Sequence, residues 1–283
     1  AQFASTSLRP GIYARLYATK AVTTLVLGLS VLAAGMGAAG LTVAISAAYL
    51  LSAATGHRDG WRGWRDARMS PEWWHRLRHF ALPFGATFLL NNVLQWVDRF
   101  VLSASAPAAQ VGAYAAVTDL VQQTLGMLFG SLFIAWYPRL LREHEAGAMD
   151  HRESLRVKYA TFAVALLLPA VSGLILLREP ILRLMFGEAF RTLSRDVLPW
   201  VATATVLSGV RTWFVDIGLL LSARMSVQLR NVGTAAVVGL ALNLWLVPVH
   251  GISGAAWSMV AGQMTGLVLS MGSTWDVLRW PLS

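Results

Sequence analysis

LPFGATFLLNNVLQWVDRFVLSASAPAAQVGAYAAV, residues 82–117, decides the fold. Its first two thirds read as an apolar helix of the length needed to cross a bilayer, about 20 residues at 1.5 Å each. That helix nevertheless carries Asn91, Asn92, Gln95, Asp98 and Arg99. A charge near the bilayer centre costs from about 2.5 kcal/mol to well over 10, so such residues are usually paired or functional. ASAPAAQVG then turns the chain without a Lys or Arg, and a second apolar run follows. Two long apolar segments joined so tightly, one of them with a polar stripe, belong to a bundle inside a membrane.

Composition agrees. Of 283 residues, 56% are hydrophobic and 13% charged, against about 25% charged in an ordinary soluble domain. The mean hydropathy is +0.55. The reading is an all-α integral membrane protein. The chain has no Cys, which excludes disulfides, thiolate metal sites and cysteine nucleophiles. A net charge of +9 suggests nucleic acid in a soluble protein, but the basic residues lie in alternate loops, and no nucleic-acid partner is expected. AQFASTSLRPG begins without Met and lacks the basic start and cleavage site of a signal peptide, so the chain reads as a fragment of a longer protein.

Apolar runs predict eight transmembrane helices, at 16–36, 38–55, 80–103, 110–136, 156–177, 197–221, 226–247 and 252–275. Their joins alternate in charge. GMGAAG, ASAPAAQVG and VPVHGISG carry no Lys or Arg, whereas the loops on the other side hold 17 of the 23 basic residues. The positive-inside rule makes that side cytoplasmic, so both ends of this chain face the cytoplasm of a cell (inner or plasma) membrane. Four arginines, Arg178, Arg183, Arg191 and Arg195, lie in the outer segment REPILRLMFGEAFRTLSRD. Arg99 and Arg211 remain within spans.

Residues 56–79 read as a basic cytoplasmic linker, with Ser70 and Pro71 as N-cap and first residue of a short interfacial helix. Trp73, Trp74, Arg76 and Arg78 suit the headgroup layer, as plain anchors or as a site for an anionic lipid head. His75 and His79 have the spacing of a metal pair but no third ligand nearby, so no metal site is expected. A Gly-x-x-Gly turn followed by a small-residue span occurs twice, at Gly37 and Gly40 and at Gly251 and Gly254, a weak internal repeat of the kind found in transporters.

At about 100° per residue, Asn91, Asn92, Gln95, Asp98 and Arg99 fall within an arc of about 120°. A helix facing lipid has no use for such a stripe. On the next span Asp119, Gln122 and Gln123 cluster, and Gly126 and Gly130 continue the Asp119 face, which is therefore open or closely packed; Gly262 and Gly266 raise the same question. Arg211 lies deep in the sixth span and Asp216 nearer its inner end. Structural readings exist for each charge. Arg99 can snorkel, Asp98 can pair with Arg99 or a neighbouring helix, Asp119 can pair with Arg211, and Asp216 can serve packing. The functional reading is a water-filled cavity whose arginines hold an anionic cargo and whose aspartates take up protons or pair charges.

Residues 82–117, together with AWYPRLLRE, resemble the C-terminal half of the polysaccharide-biosynthesis flippases, O-antigen-type members of the multidrug/oligosaccharidyl-lipid/polysaccharide exporter superfamily. Asp98, Arg99, Leu102, Val111, Gly112, Tyr114, Pro138, Arg139 and Leu140 carry the resemblance; Ser103 stands where the family often has Gly. PILRLMFGEAF, GLLLSARMS and NLWLVPVHGISGAAW are similar to later segments, so the likeness covers 80–275 well and the first two spans by pattern only. The resemblance implies helices five to twelve of a twelve-helix, two-lobe transporter. Residues 1–55 then form the last helix pair of the N-terminal lobe, 56–79 the linker, and 80–283 the six-helix C-terminal lobe.

It also implies flipping of a polyprenyl-diphosphate-linked oligosaccharide from the cytoplasmic to the outer leaflet, for lipopolysaccharide or another cell-envelope polysaccharide. An ion gradient, H+ or Na+, would drive it by alternating access, in contact with membrane lipids and with a polysaccharide polymerase or glycosyltransferases. Arg211 and Arg99 would pair with the diphosphate, while Asn91, Asn92, Gln95, Gln122 and Gln123 would bond sugar hydroxyls and Asp98, Asp119 and Asp216 would couple ions or pair charges. No catalytic residue and no cofactor is expected, in keeping with the lack of a Gly-rich phosphate loop. The alternatives are a drug or cation exporter of the same superfamily, which favours a more acidic and aromatic cavity, and a polyprenyl-lipid-using enzyme, which needs clustered carboxylates or a large outer loop. A purely structural membrane partner fits the three polar helical faces least.

Overall fold

The computed structural model describes residues 10–60, 71–145, 149–222 and 224–278. They are almost entirely helical, and the described residues contain no strand. The helices are α1 (Pro10–Ala33), α2 (Gly37–Gly60), α3 (Pro71–Ser105), α4 (Ala108–Glu145), α5 (Met149–Leu176), α6 (Arg178–Met185), α7 (Glu188–Arg195), α8 (Leu198–Val210), α9 (Asp216–Leu221) and α10 (Met225–Leu278). The chain divides into two compact units, Ala1–Trp73 and Trp74–Ser283.

Among the described residues, four helical stretches are long and apolar enough to cross a membrane: Ala108–Arg142, Val157–Leu176, Leu198–Leu221 and Met225–Trp275. The chain is a multi-pass membrane protein. The polar stripe lowers the hydropathy of α3 enough to keep it out of this group.

In the first unit, α1 and α2 form a hairpin. Gly35 and Gly37 turn it with φ of 68° and 63°, a region that costs other residues about 1–2 kcal/mol. Gly40 lets the helices close, because a Cβ there would lie 2.8 Å from the Val31 side chain. In the second unit, α10 breaks at Gly251 (φ 55°), so its two arms also form a hairpin. Gly239 and Gly262 pass backbone to backbone, a Cβ on Gly266 would touch Ala235, and Asn231 donates to Ser273 at 3.0 Å. Gly254 abuts the Leu246 backbone. The weak repeat thus has a physical content: each first glycine turns the chain and each second one admits the preceding helix.

Two expectations need correction. The short interfacial helix is not separate, because Pro71 starts the helix that runs unbroken through Pro83 to Ser105. Ser70, its expected N-cap, and Arg62, Arg65 and Arg68 lie outside the described residues, as do the side chains of Trp73, Arg76 and His79. The sixth span is not a regular α-helix: Arg211–Val215 widens to a π turn, in which the Asp216 N–H donates to the Arg211 carbonyl. Between the two readings left open for Gly126 and Gly130, the open one holds, since a Cβ at either would meet nothing within 4 Å.

Helix α4 is the spine of the second unit. Val117, Val121, Leu125, Phe129 and Leu132 form its buried face. Gly209 of α8 lies against the Phe129 ring so closely that a Cβ would collide with it. Tyr159 of α5 stacks on Phe214 at 4.6 Å and donates to the Trp213 carbonyl at 3.3 Å, which ties α5 to the π turn.

Candidate functional site

The five polar residues of α3 do not share one environment. Thr87, Leu94, Asp98 and Leu102 form the buried edge of the helix, with Asn91 beside them, whereas Gln95 and the aromatic Phe88 and Trp96 are exposed. The arc of about 120° therefore straddles a boundary. One edge faces the protein and the other faces out.

On the inner edge, Asp98 is 2% exposed and accepts from the Tyr114 hydroxyl of α4. Its other oxygen accepts from the Arg99 backbone N–H at 2.9 Å. The Tyr114 hydroxyl also approaches the Met259 sulfur at 3.9 Å. Asp98 is thus an anchor between α3 and α4, with its side chain bonded to Tyr114 and not to the Arg99 guanidinium.

On the outer edge, Arg99 reaches Asp119 of α4 as a fork. Nη2 lies 2.6 Å from Oδ1 and Nη1 3.4 Å from Oδ2. The Arg99 side chain is 13% exposed and that of Asp119 55%. The guanidinium also stands 4.4 Å from the centre of the Trp96 ring, within cation–π range. Asp119, Gln123 and Gly126 lie on the side of α4 opposite its buried face and are exposed, and Gln122 is half-buried beside them. Gln95 of α3 is exposed and Asn92 half-buried. This face combines one paired cation, one accessible carboxylate and several amides.

Arg211 is placed differently from expectation. It is 1% exposed and lines no open surface. Nη2 donates to Asn91 Oδ1 at 2.6 Å, and Gly266 leaves room for its stem, with the Arg211 Cδ 3.1 Å from where a Cβ would be. Nε and Nη1 are buried without a hydrogen-bond partner, as is Asp216 Oδ1. Asp216 Oδ2 accepts from Gln228 at 3.3 Å. Of the structural readings open in the sequence, the Asp119–Arg211 pair does not form, because Asp119 pairs with Arg99. Tyr114 and Trp96, which hold the two charges of the Asp-Arg pair, and Gln228 were not among the expected site residues. Tyr114 was visible in sequence only as part of a motif, and one residue's spacing does not disclose its partner on another helix.

Residues 12–144 match the family model described as polysaccharide biosynthesis protein. Over that segment the chain is similar to the polysaccharide biosynthesis protein family. The probable lipid II flippase MurJ of Rhizobium meliloti (strain 1021) is 26% identical over 219 residues, which are 75% of this chain and 40% of that protein. The chain therefore spans about 40% of the length of that relative. No solved structure matches. The family match begins in α1 and takes in Asn91 to Gln123, so the α3 and α4 polar faces lie inside the matched segment, while Arg211 and Asp216 lie beyond it.

Proposed function

We propose that this chain is part of a flippase that carries a polyprenyl-diphosphate-linked oligosaccharide from the cytoplasmic to the outer leaflet by alternating access. Its eight crossings would correspond to helices five to twelve of a two-lobe transporter, divided at residues 1–55, 56–79 and 80–283, with both ends of the chain in the cytoplasm. The observation that carries the reading is the open polar face of α4, where Asp119 and Gln123 point away from the buried side of an otherwise apolar helix, beside Arg99 and Gln95 of α3. Lipid solvates none of these groups, so they require water, protein or a polar cargo.

The division of labour follows from burial. Arg99, with two guanidinium nitrogens in a planar fork, suits a diphosphate. Gln95, Asn92, Gln122 and Gln123 present donors and acceptors to sugar hydroxyls. Asp119, being accessible, is the carboxylate suited to coupling with H+ or Na+. Arg211, enclosed with Asn91, Asp216 and Gln228, is a positioning residue that fixes α3 against the π turn. The polyprenyl tail stays in lipid, and a polymerase or glycosyltransferase would meet the head on either side.

Reconstitution of the full-length protein into proteoliposomes tests this. A prenyl-diphosphate-linked glycan enclosed in the inner leaflet should become accessible to an external glycosidase at a protein-dependent rate. Equal rates with and without protein would refute the reading.

A further inference from the structure

Arg99 is the cation best placed for an anionic head, yet it is already neutralised. Its fork is filled by Asp119 at 2.6 Å and 3.4 Å, and its Nε is buried without a hydrogen-bond partner. The two partners differ in mobility of environment: Arg99 is fixed over Trp96 and mostly enclosed, whereas Asp119 is 55% exposed on the open side of α4. A bidentate guanidinium binds a carboxylate and a phosphate with the same two parallel N–H groups. From these facts we infer that Asp119 is an internal stand-in for the cargo phosphate, a latch that occupies Arg99 in the empty site and must be displaced when a diphosphate binds.

This inference rests on the flippase reading and deepens it. With Asp119 55% exposed, the latch is open to attack from the side of the cargo, and a doubly negative head competes for the same two parallel N–H groups with the greater charge. An unpaired guanidinium in the membrane would instead be costly, and would attract any passing anion or phospholipid phosphate. The latch spares the empty transporter both. It also links cargo to conformation. Arg99 sits on α3 and Asp119 on α4, while one residue earlier Asp98 and Tyr114 fasten the same two helices on the inner edge. Displacing Asp119 unties the outer edge and leaves the inner one fastened, so the two helices can pivot about the Asp98–Tyr114 contact when the head enters. A like-charged Asp119 left beside the bound diphosphate then favours its departure.

The test is binding of farnesyl diphosphate to the full-length protein in detergent, with farnesol as the control for tail binding. Asp119→Asn should bind the diphosphate about tenfold more tightly than the wild type, a difference of about 1.4 kcal/mol. Arg99→Gln should lose at least as much, and the double variant should behave as Arg99→Gln. Asp119→Ser provides a second test if the Asn variant is not monodisperse. Unchanged or weaker binding by the Asp119 variants would overturn the latch while leaving the flippase reading intact. Failure of the wild type and all variants to prefer farnesyl diphosphate over farnesol would overturn both.

Discussion

Arg211 of the π turn and Asn91 of α3 are joined by a 2.6 Å hydrogen bond, although 120 positions separate them in sequence. Arg211 is fully buried, and Asp216, five positions on, is also buried and accepts from Gln228. Removing Arg211 leaves Asn91 Oδ1 without its charged donor and empties the space of a large, fully buried side chain, a loss of about 3–5 kcal/mol. Arg211→Ala should therefore lower the thermal unfolding temperature sharply in detergent. Asn91→Ala removes a neutral partner and should cost less, about 1–3 kcal/mol. A wild-type melting temperature for Arg211→Ala would show that this contact is not structural.

Asp98 and Tyr114 make a different prediction. Tyr114→Phe leaves a buried carboxylate oxygen without its donor, whereas Asp98→Asn keeps an acceptor for the hydroxyl. The Phe variant should lose about 1–3 kcal/mol and the Asn variant less, as read by unfolding in the same detergent. The reverse order would place the stabilisation elsewhere.

Glycine substitutions separate close packing from open surface. Gly262→Leu must push apart the α10 arms where Gly239 passes 3.3 Å from a Cβ, and Gly209→Ala must displace the Phe129 ring. Both should reduce the yield of monodisperse protein. Gly126→Ala and Gly130→Ala meet no neighbour within 4 Å and should be stable, with any loss confined to transport. Equal stability of all four would contradict the packing described.

Much of this was readable in advance, for identifiable reasons. Apolar length reveals helices, and the paired Gly-x-x-Gly turns reveal both hairpins, because positive φ and close approach each demand glycine. The α3 stripe was visible as a stripe because helical period is a local property. What one helix cannot disclose is which edge of the stripe meets which neighbour. That is why the partner of Asp119 stayed open between Arg211 and a cavity role when it is Arg99, and why Arg211 was expected to line a cavity when it is enclosed. The π turn at 211–215 left no trace, since RTWFV contains neither Pro nor Gly. The Gly126 and Gly130 spacing was ambiguous between packing and openness, which only the neighbouring helices could decide.

The chain contains no cysteine, so single cysteines can report solvent directly. The decisive measurement is labelling of Gln95→Cys, Gln123→Cys and, as a lipid-facing control, Val93→Cys by a charged, membrane-impermeant maleimide in the native membrane. The account predicts rapid labelling at positions 95 and 123, slowed by added prenyl diphosphate, and little at 93. Labelling at 95 and 123 as slow as at 93 would mean that no hydrated passage adjoins these faces, and the proposed route for the head group would be wrong.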